Sequence, residues 1–165
     1  MLRRSIPFLF LSLCFLLLPL TASGAIKVGD TVAPFTGTDM NGRQVDLGQV
    51  IGKQPIMLIF WASWCPNCKR EVPRVNELQE KYGSRGMYFL GINVGFNDSP
   101  ERARAFMEST GMNYPVLFDK QGTISRQYGV QGVPTIIVTD KSGRVVFKNF
   151  GVPEITDENF KQLSQ

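Results

Sequence analysis

The 165-residue chain suits one compact domain with a real core plus a short leader. Its 43% apolar and 19% charged residues exclude a disordered or collagen-like chain. The formal charge of +4 includes Arg3 and Arg4; without them 16 basic residues face 14 acidic ones, a mixed-sign balance of +2 that makes no case for nucleic-acid binding.

Residues 1–25 read as a leader. Arg3 and Arg4 precede an almost wholly apolar run from Ile6 to Leu20, and small residues follow at Ala22, Ser23, Gly24 and Ala25. That is the order of a secretory signal, with cleavage expected after Gly24 or Ala25. An uncleaved N-terminal membrane anchor is the alternative, since the run sits near the lower limit for spanning a bilayer. Either reading puts residues 26–165 outside the cytoplasm, in the periplasm or on the outer face of the inner membrane.

Lys27–Pro34 reads as extended, and Phe35–Asp46 as a β-hairpin turning at Asn41-Gly42. Leu47–Gln54 is a loop or short helix. Pro55–Trp61 is an apolar run of buried-strand length. A helix is expected from Pro66 to about Tyr82, with Gly83 at its end and Val72, Val75 and Leu78 on its buried face. Met87–Val94 is a second apolar strand. Ser99-Pro100-Glu101 starts a further helix, with a capping side chain followed by Pro in the first turn, ending near Gly111. Val116–Phe118 is a short strand, and a turn at Asp119–Gly122 leads to a helical piece through Tyr128. Thr135–Thr139 and Arg144–Phe150 pair across Asp140–Gly143. Asp157–Gln162 is a short terminal helix. This order predicts an α/β domain: a central mixed β-sheet flanked by helices.

Chemistry concentrates at Cys65-Pro66-Asn67-Cys68. Cys14 lies in the leader, so these are the domain's two cysteines, and the chain has no histidine. As a structural staple the four-residue ring restricts the unfolded chain by only roughly 2 kcal/mol. Two thiolates without imidazole make half a zinc site, and c-type haem attachment needs His where Lys69 stands. No metal and no cofactor are expected. A redox pair fits the placement. Cys65 ends a strand-to-helix connection and Pro66 opens the helix, so unpaired N–H groups and the positive end of the helix dipole favour a thiolate at Cys65. Lys69 and Arg70 add to that field. Cys65 is therefore the expected nucleophile and Cys68, one turn on, the resolving thiol that attacks the mixed disulfide.

Trp61-Ala62-Ser63-Trp64-Cys65-Pro66-Asn67-Cys68-Lys69 closely resembles the active site of the thioredoxin superfamily. Pro73 matches its helix-kinking proline, and Gly132-Val133-Pro134-Thr135 resembles its loop with a cis-proline facing the disulfide. The leader, the N-terminal hairpin and the inserted helix around Pro100–Ser109 narrow the resemblance to exported TlpA/ResA/CcmG-like thiol–disulfide oxidoreductases. The resemblance implies a thioredoxin-like fold over about Val28–Gln165 and substrate contacts at Trp64, Pro66, Val133 and Pro134, with the Val133 backbone pairing to an extended peptide. Trp61 is expected to be packing. Where ordinary thioredoxins carry a buried Asp, this chain has Ile59; ResA- and CcmG-like proteins instead carry an acid at the position of Glu71. Glu71 lies three residues after Cys68, near it on a helix surface, and is expected to exchange a proton with that thiol.

The implied activity is reduction of disulfides in exported proteins, including apocytochrome c before haem attachment. Electrons would come from a membrane thiol-electron donor, and the chain is expected to act as a monomer. Two other readings stay open. A thiol peroxidase would share the fold, but such proteins usually have Thr where Ala62 stands, three residues before the reactive cysteine. A non-catalytic peptide-binding domain would use the groove beside Pro134 and would not need Cys65.

Overall fold

The computed structural model describes residues 25–165. The leader reading of residues 1–25 therefore lies almost wholly outside the described residues. Among the described residues no helix is long and apolar enough to cross a membrane.

A two-stranded hairpin comes first: β1 (Thr36–Thr38) and β2 (Gln44–Asp46), antiparallel. Its turn is held by Asp39, whose carboxylate accepts the N–H groups of Asn41 and Arg43, and Gly42 supplies the left-handed residue at φ +82°. The preceding segment is not simply extended as the sequence suggested. Gly29 at φ +96° makes a turn, and the Asp30 carboxylate accepts the N–H of Lys27 across it.

The main sheet holds β3 (Ile56–Trp61), β4 (Tyr88–Asn93), β5 (Val116–Phe118), β6 (Thr135–Thr139) and β7 (Val145–Asn149) in the order β5-β4-β3-β6-β7. β3, β4 and β5 are parallel, and β6 and β7 are antiparallel to their neighbours. Parallel neighbours need crossovers. These are α1 (Pro66–Tyr82), between β3 and β4, and α2 (Pro100–Thr110), between β4 and β5. α3 (Thr123–Gln127) and α4 (Asp157–Leu163) complete the chain. A short 3₁₀ turn spans Leu47–Gln49.

All six residues of β3 are buried, as a strand covered on both faces requires. Successive side chains leave a strand on opposite sides. Ile56, Leu58 and Phe60 accordingly pack with Leu47, Ile92 and Tyr128, while Met57 and Ile59 pack with Val75, Tyr82 and Phe160. Each such side chain contributes about 1.5–3 kcal/mol by leaving water. Val72 and Val75 of α1 are buried as expected, and Leu78 is half-buried. The domain is packed from its first residues: Ile26 is buried, and its carbonyl accepts a bond from Lys148 Nζ at 2.9 Å.

Candidate active site

β3 delivers the chain to the carboxyl end of the parallel strands, where Ala62–Trp64 turns it into α1. Cys65 is the N-cap of that helix, extended at φ −93°, ψ 106°, and Pro66 takes the first turn, where no N–H is needed. Cys65 and Cys68 are disulfide-bonded, with Cα atoms 5.3 Å apart. Cys65 Sγ accepts the backbone N–H of Cys68 at 3.0 Å. The sulfur thus occupies the place a Ser or Asp oxygen takes in an ordinary N-cap. No acidic residue lies in the first turn to oppose a thiolate there. Both cysteines are buried in this disulfide-bonded state, at 4% and 3% exposure.

The Val133–Pro134 peptide bond is cis. The loop is closed by Thr135 Oγ1, which donates to the Gly132 carbonyl at 2.7 Å, and the Val133 carbonyl oxygen lies 3.6 Å from Cys65 Sγ. Three segments meet here. Trp64 is half exposed, and its indole Nε1 donates to the Phe96 carbonyl at 2.8 Å. Trp64, Phe96 and residues 130–133 line an open apolar cleft of about 240 Å³. Trp61, by contrast, is buried and stacks on Phe106, as packing.

Glu71 is half-buried on α1. Its Oε2 accepts the N–H of Val152 at 2.9 Å, a partner 81 residues away that nothing in the sequence pointed to. Ile59, where ordinary thioredoxins place an acid, is buried against Ile136 and Gly91 of the neighbouring strands.

A second carboxylate stands behind the Ser63–Trp64 turn. The side chain of Asp98 is fully buried. Its Oδ2 accepts Ser63 N–H at 2.6 Å and Asn93 Nδ2 at 2.8 Å. Its Oδ1 accepts Ser63 Oγ at 2.6 Å and Ser99 N–H at 2.9 Å, with Arg102 Nε at 3.5 Å. Burial pushes the carboxyl pKa up, but the bonds donated by Ser63, Asn93 and Ser99 outweigh it and hold the group below the ordinary carboxylate range. Ser99 caps α2 as its sequence predicts, its Oγ accepting the Arg102 N–H, while Asp98 beside it carries no local signal of its role. No local spacing links residue 98 to residue 63.

Two sulfurs joined across one helical turn, at a helix start and beside a cis-proline, are equipped for thiol–disulfide exchange, and the fold around them is thioredoxin-like. Comparison with known proteins bears this out. Residues 28–148 match the AhpC/TSA family, and the chain belongs to that family. It is 35% identical over 142 residues to the thiol-disulfide oxidoreductase ResA of Geobacillus thermodenitrificans, covering 86% of this chain and 79% of that protein. With ResA of Bacillus thuringiensis subsp. konkukian it shares 30% identity over 146 residues, 87% and 83% of the two chains. Among solved structures, a thiol:disulfide interchange protein of the thioredoxin family from Chlorobium tepidum TLS aligns with a TM-score of 0.67 at 26% identity, over 84% of this chain and 96% of that one. The chain is a thiol–disulfide oxidoreductase of the ResA-like kind.

Proposed function

We propose that this oxidoreductase works outside the cytoplasm as a reductant of disulfides in exported proteins, apocytochrome c among them, with Cys65 as nucleophile and Cys68 as resolving thiol. The observation that carries the reading is the position of Cys65 Sγ: it accepts the Cys68 N–H at the start of α1 and lies 3.6 Å from the Val133 carbonyl beside the cis-proline.

In the reduced enzyme the Cys65 thiolate attacks one sulfur of the substrate disulfide. That bond breaks, one substrate sulfur leaves and takes up a proton, and Cys65 is held in a mixed disulfide. Cys68 then loses its proton and attacks Cys65 Sγ. The second substrate sulfur leaves and is protonated, and the enzyme retains the Cys65–Cys68 disulfide. The substrate has gained two electrons and two protons. A membrane thiol-electron donor returns the enzyme to the dithiol. Trp64, Pro66, Val133 and Pro134 hold the substrate segment, with the Val133 backbone offered to an extended peptide. Glu71, one turn beyond Cys68 on α1, takes the Cys68 proton. The leader of residues 1–25 carries the domain across the membrane as a signal or holds it there as an anchor. A peroxidase reading gains nothing from Ala62, buried where those enzymes usually carry Thr.

The test is trapping. Cys68→Ser is expected to accumulate a mixed disulfide at Cys65 with its exported partner, identifiable by mass spectrometry, while Cys65→Ser abolishes protein-disulfide reduction. Full activity in Cys65→Ser would remove the assignment.

A further inference from the structure

We infer that Asp98 is a positioning residue for the exchange reaction: it fixes the Ser63–Trp64 lip of the active site against the Gly95–Ser99 loop and so sets the wall of the cleft a protein disulfide must enter. The inference rests on the reading of that cleft as the substrate site.

Both residues of the lip are bonded to the same loop. Trp64 donates its indole N–H to the Phe96 carbonyl, and Ser63 gives both its N–H and its hydroxyl to Asp98. Asp98 in turn is held by Asn93 at the end of β4 and by the Ser99 N–H at the start of α2. Asn93 also accepts the Gly95 N–H at 2.9 Å, so one buried amide braces both ends of the loop. Gly95 has φ +69°, and a Cβ there would stand 2.3 Å from the Asp119 carbonyl oxygen, so the loop is pressed on the turn after β5. Phe96, on this braced loop, is 67% exposed, and it lines the same cleft as Trp64, whose indole N–H its backbone carbonyl accepts. The Trp64 indole and the Phe96 backbone are thus tied together at the mouth of a site with buried sulfurs.

Every polar neighbour of the Asp98 carboxylate is a donor, and a carboxylate is the side chain that only accepts. An amide cannot replace it. Whichever way an Asn is turned, its NH₂ meets the N–H of Ser63 or of Ser99. The lip or the helix start is left without an acceptor, and Trp64 is freed to move relative to Cys65. A small disulfide reaches the sulfurs without using the lip; a protein disulfide does not. Positioning losses of this kind reach roughly 10²-fold. A carboxylate acting through its charge alone would have the opposite sign, because removing a negative charge near Cys65 favours its thiolate.

The test is Asp98→Asn in the full domain, with reduction of insulin and of oxidised glutathione measured side by side. The chain has only two tryptophans, so their indole N–H resonances are followed directly, assigned with Trp64→Phe. Asp98→Asn is expected to shift the Trp64 resonance and to lower kcat/KM for insulin by roughly ten- to a hundredfold, chiefly through KM, with a several-fold smaller loss on glutathione. Ser63→Ala is expected to give a weaker loss of the same pattern, and the double variant to be no worse than Asp98→Asn alone, because the two act through one contact. Faster exchange, equal losses on both disulfides, or additive losses would overturn the inference. If Asp98→Asn does not fold, Ser63→Ala decides, and an unchanged ratio between the two substrates refutes the claim. The resonance separates this failure from failure of the underlying site: a Trp64 signal that stays in place overturns the role of Asp98 whatever Cys65→Ser does.

Discussion

Glu71 on α1 and Asp98 in the loop before α2 are both carboxylates near the sulfurs, and their surroundings give them different tests. Glu71 accepts a single backbone N–H, from Val152. A glutamine keeps an oxygen for that bond, so Glu71→Gln is expected to preserve the fold and remove only the capacity to take a proton. Resolution of the mixed disulfide should slow. Acid–base groups commonly contribute on the order of 10²-fold, and less is expected here because water also accepts a thiol proton. Rapid-quench measurement of the Cys68 step across pH checks this; an unchanged pH–rate profile would make Glu71 a tether for the loop after β7. Asp98 accepts four hydrogen bonds, and its carboxyl is held below the ordinary range. A carboxyl depressed in the folded state contributes stability that is whole above its unfolded value of about 3.9 and is lost as pH falls through the lower folded value. The gap in Tm between wild type and Asp98→Asn should therefore be widest near neutrality and close in acid below about pH 4. A gap that persists unchanged at pH 2 would mean that the ionised carboxylate is not what holds Ser63.

At the scale of elements, the start of α1 is the feature that distinguishes the two sulfurs. Cys65 and Cys68 are equally buried, yet it is Cys65 Sγ that caps the helix and accepts the Cys68 N–H. That contact favours the thiolate at Cys65 alone. In the reduced domain near neutral pH, iodoacetamide is expected to label Cys65 well ahead of Cys68, as read by peptide mapping; faster labelling at Cys68 would exchange their roles. The elements that set this up were legible because their signals are local. The six-residue apolar run gave β3, Cys-Pro gave the helix start, and Ser99-Pro100 followed by Gly111 gave both ends of α2, with Gly111 left-handed at φ +66°. Two end details were not legible. α1 ends at Gly83 as expected, but the left-handed turn that follows lies further on, at Gly86, and Gly29 breaks the leading segment. What local pattern cannot carry is a partner far along the chain. Ser63–Asp98 spans 35 residues and Glu71–Val152 spans 81. Each depends on how strands and helices pack together, so the sulfurs could be found in the sequence while the supports behind them could not.

For the whole molecule, the sheet order gathers the site from segments scattered along the chain. β3 brings Trp64 and Cys65, the β4–α2 loop brings Phe96 and Asp98, and the approach to β6 brings Val133 and Pro134. The direction of electron flow then depends on how strongly this assembly stabilises the Cys65 thiolate, since a better-stabilised reduced form makes a stronger oxidant. The contributions on hand are the N-terminus of α1, one N–H from Cys68, and the exposed Lys69 and Arg70. The chain has no histidine, so no imidazolium can add to them from the residues between the cysteines or from any packed neighbour. The carboxylates of Glu71 on α1 and of Asp98 in the β4–α2 loop work against a thiolate through their charge. Moderate stabilisation predicts a reducing couple, nearer thioredoxin's roughly −270 mV than the roughly −120 mV of a strong exported oxidant. Equilibration of the domain with dithiothreitol and glutathione buffers, scored by the fraction of Cys65–Cys68 disulfide, measures it. A value near the oxidising end would reverse the proposed flow: the same sulfurs would then be placing disulfides into exported proteins, and the partner trapped by Cys68→Ser would be one awaiting oxidation.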